Sequence, residues 1–154
     1  MWIGRRIRDY LFQYHVAYAR YAHAEFPAEA EFAKTVVLRA DDRLILAVLP
    51  GDHIINFEKL KRLIRCAKLS LALEKEFIEK FRDCQRGAVP PFGNLFKVPL
   101  YCDTVLAKHA EIEFNAGTYD ETIRMKFAAF VTLENPIILS FSEKRYDSPA
   151  VRAA

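Results

Sequence analysis

The sequence predicts an α+β domain with a mixed, barrel-like central β-sheet wrapped by helices. Apolar residues recur at helical spacing in some stretches (Ile3, Ile7, Leu11, Tyr14) and at two-residue spacing in others (Ile123, Met125, Phe127). The run from Leu44 to Leu49 is apolar throughout, as expected of a strand covered on both faces. Strands and helices also mix without the regular strand–helix–strand alternation of a doubly wound sheet. With 154 residues, 52% hydrophobic and 28% charged, the chain has enough material for one core and too little for two.

Taken in order, residues 3–14 read as a helix, with Arg5, Arg6, Arg8 and Asp9 pointing away from its apolar stripe. Residues 16–22 read as an aromatic-rich strand, and 24–33 as a segment broken at Pro27 that holds one short helical turn. Residues 34–52 read as a β-hairpin turning at Asp41-Asp42 and ending at Pro50-Gly51. Asn56 is placed to cap a helix over 56–68 that buries Phe57, Leu60, Leu63 and Ile64. A second helix over 73–83 turns Leu73, Phe77, Ile78 and Phe81 inward. Strands follow at 98–103, at 111–117 (Ile112 and Phe114 in, Glu111 and Glu113 out) and at 122–127. A helix around 127–134 and a strand around 137–141 close a single domain over 1–141, and residues 142–154 read as a frayed tail.

Several classes of function find no support. The chain has no GxSxG, P-loop, dinucleotide fingerprint or HExxH. His15, His23, His53 and His109 are scattered, none at ligand spacing from a cysteine or another histidine, so neither a metal nor a cofactor is expected. Cys66, Cys84 and Cys102 are odd in number and form no CxxC, which reads as free thiols in a reducing cytoplasm. The N-terminus lacks the apolar run of a secretory signal, and no stretch approaches the ~20 apolar residues of a membrane span. A net charge of +3 permits a polyanionic partner without requiring one.

Three features remain. Lys34 shares a strand face with Val36 and Leu38 and is placed to reach the mouth of a cavity, where desolvation would lower its pKa; a lysine snorkelling off a strand end is the plainer reading. The loop "GAVPPFG" (87–93) brackets two prolines between two glycines. Such a loop makes a stiff rim with backbone N–H groups near Gly87 and Ala88, or simply a rigid turn. The third is the turn "NAGTYDE" (115–121).

"FAKTVVL", "LAVLPGD", "DCQRGAVPPFGN" and "IEFNAGTYDETIRM" occur in order, and with them the chain resembles, from about residue 5 to about residue 141, the YbaK/prolyl-tRNA-synthetase-associated domain family. The resemblance implies a barrel-like mixed sheet and hydrolysis of mischarged aminoacyl-tRNA in trans. The partners it implies are mischarged tRNA and an aminoacyl-tRNA synthetase. It puts the family's essential lysine on Lys34, its GxxxP loop on Gly87 through Pro91 and its turn on Gly117 and Thr118. The implied catalytic residues are Lys34 and Gly87. The implied substrate pocket is lined by Thr35, Ala88, Pro90, Pro91, Phe92, Gly93, Gly117, Thr118 and Tyr119.

Two departures stand out. Tyr119 replaces a histidine that many relatives carry, and the stretch from His23 to Lys34 is short for the helix that usually encloses their pocket. A non-catalytic aminoacyl-tRNA or nucleic-acid binder of the same fold is therefore the alternative. For either function, Lys59, Arg62 and Arg65 make a basic row that reads as a set of phosphate contacts or as a solvated helix face.

Overall fold

The computed structural model describes residues 3–22 and 31–145. The elements are α1 (Ile3–Gln13), β1 (Ala19–Ala22), β2 (Glu31–Ala40), β3 (Arg43–Pro50), β4 (His53–Ile55), α2 (Phe57–Ile64), β5 (Leu69–Leu71) and α3 (Glu74–Phe81). There follow α4 (Gly93–Phe96), β6 (Leu100–Asp103), a 3-10 turn (Leu106–Lys108), β7 (Glu111–Asn115), β8 (Glu121–Lys126), α5 (Phe127–Glu134), β9 (Ile137–Leu139) and β10 (Ser142–Lys144). The architecture is the α+β one expected, with helices around a large mixed sheet.

The sheet runs β1-β8-β7-β2-β3-β6-β9, with β5 added to β2, and β10 pairs with β4 in a separate ladder. The β2–β3 pair is antiparallel from Ala33↔Pro50 to Ala40↔Arg43, whereas β2–β7, β3–β6 and β6–β9 are parallel. Asp41 makes the hairpin turn at φ 55, and its carboxylate accepts the N–H groups of Ala67 and Lys68 at 2.9 Å each.

Apolar side chains fill both faces of the central hairpin. Ala33, Val37, Leu46 and Val48 join a core built with α1, α3 and the inner faces of β7 and β8. Leu38, Ala40, Ile45, Ala47 and Leu49 join a second core under α2, with Leu60 and Phe141. This two-sided burial is why β3 reads as an unbroken apolar run.

The differences from expectation are local. Asn56 caps α2, its side chain accepting the Lys59 N–H at 3.0 Å, but the helix stops at Ile64 because Arg65 turns left-handed (φ 59) and donates its N–H to the Lys61 carbonyl. Leu63 is 42% exposed; one residue is 100° of helix, which carries it past the stripe of Phe57, Leu60 and Ile64. In α3, Phe77 and Phe81 are buried as expected, while Leu73 at the helix start and Ile78, one step round from Phe77, face solvent.

Glu113 is buried rather than outward, accepting from the Thr122 hydroxyl at 3.3 Å. Burial pushes its carboxyl pKa up. The expected tail also begins too early. The buried Asp103 carboxylate accepts the N–H groups of Val105, Phe141 and Ser142 at 2.8–3.0 Å, and β10 then pairs along β4. Residues 146–154 of that tail, and 23–30 of the expected 24–33 turn, lie outside the described residues; 31–33 belong to β2.

Candidate functional site

The site begins with a gap in the sheet. One side of β2 is paired with β3 along its length, but the other side meets β7 only at Glu31 and Phe32 and β5 only from Leu38 onward. Among the described residues, no strand pairs with that side between them. The Phe32 carbonyl accepts from Gly51 on the β3 side, and the Val37 carbonyl accepts from Ala72 on the β5 side at 3.1 Å. Alternate residues of a strand send their backbone groups to opposite sides, so the N–H and C=O of Thr35 face the gap without a ladder partner.

A small pocket of about 170 Å³ opens there, lined by Thr35, Val36, Val37, Leu71, Ala72, Phe77, Arg86, Gly87 and Val89. Three consecutive β2 residues line it because it abuts the strand's open edge rather than one face. Its walls are mostly apolar, with Arg86 as the one charged residue, and the Thr35 hydroxyl, on a residue 6% exposed, has no hydrogen-bond partner among the described residues.

The stiff loop is tied to the 115–121 turn by four hydrogen bonds. Gln85 N–H donates to the Gly117 carbonyl at 2.8 Å and Gly117 N–H to the Ala88 carbonyl at 2.9 Å. Tyr119 N–H donates to Gln85 Oε1 at 2.7 Å, and the Tyr119 hydroxyl donates to the Arg86 carbonyl. Gly87 (φ 84) and Gly117 (φ 90) both need the left-handed region, and a side chain at either would collide, with the Tyr119 hydroxyl and with Ile3 respectively.

Of the residues expected to line the pocket, the structure brings Thr35 and Gly87 together and diverts the others. The Ala88 N–H donates to the Gln85 carbonyl at 3.0 Å, so it is not a free donor, and Ala88 itself is buried. Pro90, Pro91, Phe92 and Gly93 are buried too. The hydrophobic effect draws this half of the loop inward: the Phe92 ring lies 5.3 Å from Phe114 and 5.5 Å from Tyr10, and a Cβ on Gly93 would meet the Val98 carbonyl at 2.6 Å. Gly117 and Tyr119 brace the loop from outside the pocket, with Thr118 between them. Phe92→Ala is therefore expected to remove about 3–5 kcal/mol of stability, read as a lower urea midpoint with the same slope.

Lys34, one residue from Thr35, faces the other way, as strand alternation requires. It lines a separate groove of about 460 Å³ with Glu31, Phe32, Gly51 and Asp52. Desolvation and the Arg145 charge lower its pKa, opposed by Asp52. The two grooves lie on either side of the same stretch of β2, so Lys34 and Gly87 flank the open edge rather than share one cavity.

Lys59 is half-buried and Arg62 exposed on α2, Arg65 is exposed just past its end, and no ion pair engages them among the described residues. The three cysteines are free; burial pushes Cys84 and Cys102 up to about 12, which leaves them protonated and unreactive.

Sequence reasoning missed the pocket's apolar walls from β5 and α3, and the group that fixes α4. Glu134, buried, accepts the Tyr10 hydroxyl at 2.5 Å and the Asn94 N–H at the start of α4 at 3.0 Å. Only the polar residue ending an apolar helix hinted at it.

Comparison with known proteins agrees with this architecture. A family model described as the aminoacyl-tRNA editing domain matches residues 16–133. A proline–tRNA ligase of Heliobacterium modesticaldum is 41% identical over 76 residues, 49% of this chain and 13% of the ligase. A multifunctional Ser/Thr-tRNA deacylase, ProXp-y, of Escherichia coli K12 is 32% identical over 98 residues, 63% of this chain and 58% of the deacylase. The chain thus spans less than two thirds of the length of either relative. A crystal structure of a candidate trans-editing enzyme for prolyl tRNA synthetase superimposes with a TM-score of 0.75 at 21% identity, over 92% of this chain and 97% of that one, and shares its fold. With the family model covering well over half of its 154 residues, the chain belongs to the aminoacyl-tRNA editing domain family.

Proposed function

We propose that this protein hydrolyses the ester between a wrongly attached amino acid and the terminal ribose of a tRNA, acting in trans. The observation that carries the reading is the open edge of β2, where a small pocket and a lysine groove meet across two adjacent residues. The pocket is amino-acid sized, below the ~300–1,000 Å³ of drug-sized sites. The larger groove around Lys34 takes the terminal nucleotide, with the ammonium on its phosphate or on the ester carbonyl.

The chemistry asks for little. Water adds to the ester carbonyl carbon, the carbonyl oxygen carries the negative charge, and the carbon–oxygen bond to the ribose breaks as that oxygen regains a proton. The free Thr35 N–H and the rim at Gly87 are placed to stabilise the oxyanion, at roughly 10²–10³ in rate per donor elsewhere. Proximity of the neighbouring ribose hydroxyl or of a held water supplies the rest. Such an activity corrects synthetases, which separate amino acids differing by one methylene by only ~1–3 kcal/mol. A synthetase and the tRNA are the implied partners.

Single-turnover deacylation of a panel of mischarged tRNAs tests the reading: hydrolysis above the spontaneous rate supports it, and none rejects it. The second reading, a binder without turnover, is favoured by one observation: the Tyr119 hydroxyl sits over Gly87 and bonds the Arg86 carbonyl at the rim of the pocket. Tight tRNA binding without hydrolysis would select it.

The same tRNA engages the basic row of α2. Its affinity is expected to fall steeply with salt, and Arg62→Ala with Arg65→Ala to flatten the slope of log affinity against log salt by roughly 0.7–0.9 per lost phosphate contact. An unchanged slope would remove α2 from the interface.

A further inference from the structure

Resting on that reading, we infer that β10 belongs to the substrate site: it delivers Arg145 as a second cation to the groove of Lys34, and the two hold the phosphate that joins the terminal nucleotide to the one before it. β10 pairs along β4 with Lys144 opposite His53. The next residue, Arg145, is exposed and donates its backbone N–H to the Asp52 carbonyl at 2.9 Å. Asp52 is a wall of the Lys34 groove. Backbone pairing therefore brings Arg145 to this place, against the repulsion of the lysine. That repulsion acts more strongly on Lys34 than the attraction of Asp52 does. The carboxylates of the groove have other neighbours. Asp52 lies 4.0 Å from the Lys144 ammonium and 3.8 Å from His53 Nε2, and Glu31 lies 3.7 Å from His109 Nε2. Neither Lys34 nor Arg145 has an ion pair among the described residues.

Two like charges that the fold holds together, one of them partly desolvated, cost free energy until an anion lies between them. At the acylated end of a tRNA the phosphodiester is the anionic group, and the α-ammonium of the aminoacyl group is repelled. The groove therefore takes the nucleotide and leaves the acyl group to the Thr35 side of β2. The guanidinium fork suits the two free oxygens of the phosphate, and the ammonium adds a point charge. Lys34 is then a ligand of the phosphate rather than of the ester carbonyl, and the oxyanion is left to the Thr35 N–H. The sequence, which reads 142–154 as a tail, gives no sign of this cation.

The experiment measures, by calorimetry, binding of two dinucleotides that end in 3′-alanylamido-adenosine, one linked by a phosphodiester and one by a neutral methylphosphonate. The wild-type protein is expected to bind the phosphodiester about tenfold or more tighter. Arg145→Gln should cut that ratio several-fold by weakening the phosphodiester form alone, with an unchanged thermal midpoint, and Arg145→Lys should keep most of it. In the free Arg145→Gln protein the Lys34 pKa, followed by NMR of its side chain, should rise because a neighbouring cation is gone. A wild-type ratio near one, a ratio unaltered in Arg145→Gln, or equal weakening of both dinucleotides would overturn the inference. So would inorganic phosphate binding as tightly as the phosphodiester dinucleotide, the mark of a free-anion site. A ratio that falls as expected in a protein that hydrolyses no mischarged tRNA leaves this inference standing and rejects the hydrolase; hydrolysis with a ratio near one does the reverse.

Discussion

Replacing Lys34 with alanine is expected to lower kcat/KM for deacylation by roughly 10²-fold or more while leaving the fold intact. Removing one partner of a desolvated charged contact loses about 2–5 kcal/mol elsewhere, and each 1.36 kcal/mol is tenfold in rate. The fold should tolerate the change because burial and Arg145 already disfavour the ammonium, as its lowered pKa shows. The sign of that shift gives a second readout. With its pKa lowered by desolvation, Lys34 loses its proton sooner as pH rises, so activity should decline on the alkaline side earlier than an ordinary lysine would dictate. The same shift makes the charged form a liability to the native state, so any stability effect of Lys34→Ala should be neutral or favourable at neutral pH, shrink as pH rises through the lowered pKa and be gone above the ordinary lysine pKa. Lys34→Arg keeps its charge throughout and should abolish the alkaline decline even where its reach is imperfect. Unchanged hydrolysis by Lys34→Ala would remove the lysine from the reaction.

Gly87→Ala should be nearly as damaging to activity, for a different reason. At φ 84 an alanine is strained by about 1–2 kcal/mol, and its methyl group would meet the Tyr119 hydroxyl that holds the Arg86 carbonyl. The tyrosine can swing away, since the colliding atom is its far end, but the rim then loses its brace. The expected outcome is a loss of roughly 10²-fold in kcat with a modest fall in thermal midpoint. Tyr119→Phe in the Gly87→Ala background removes the collision but not the strained backbone, so partial recovery apportions the two. Full activity in Gly87→Ala alone would show that the rim plays no part in the reaction.

Much of this was legible in the sequence because it is local. Asp41-Asp42 announces the hairpin, the run from Leu44 to Leu49 announces a strand covered on both sides, and Asn56 announces the start of α2. The glycines of 87–93 mark a turn that needs the left-handed region at Gly87, and the resemblance places the chain in its family. What the sequence hid is tertiary. The gap between β7 and β5 exists only because two distant segments stop short along the same strand. The inward turn of Phe92 depends on Phe114 and Tyr10, and the anchoring of 141–142 depends on a carboxylate 38 residues away. Strand alternation puts Lys34 on one face of β2, but its corollary, that Thr35 looks into the other groove, becomes meaningful only once both grooves exist.

The central claim is that the aminoacyl end of a tRNA rests on the open edge of β2, with its side chain beside Thr35 and its terminal nucleotide toward Lys34. A crystal structure with a non-hydrolysable 3′-aminoacylamido-adenosine tests this directly. The account predicts the acyl carbonyl within hydrogen-bond distance of the Thr35 N–H, the side chain between Thr35 and Gly87, and the nucleotide in the groove of Lys34 and Asp52. A ligand bound elsewhere, with β2 between residues 33 and 37 still bare, would contradict it.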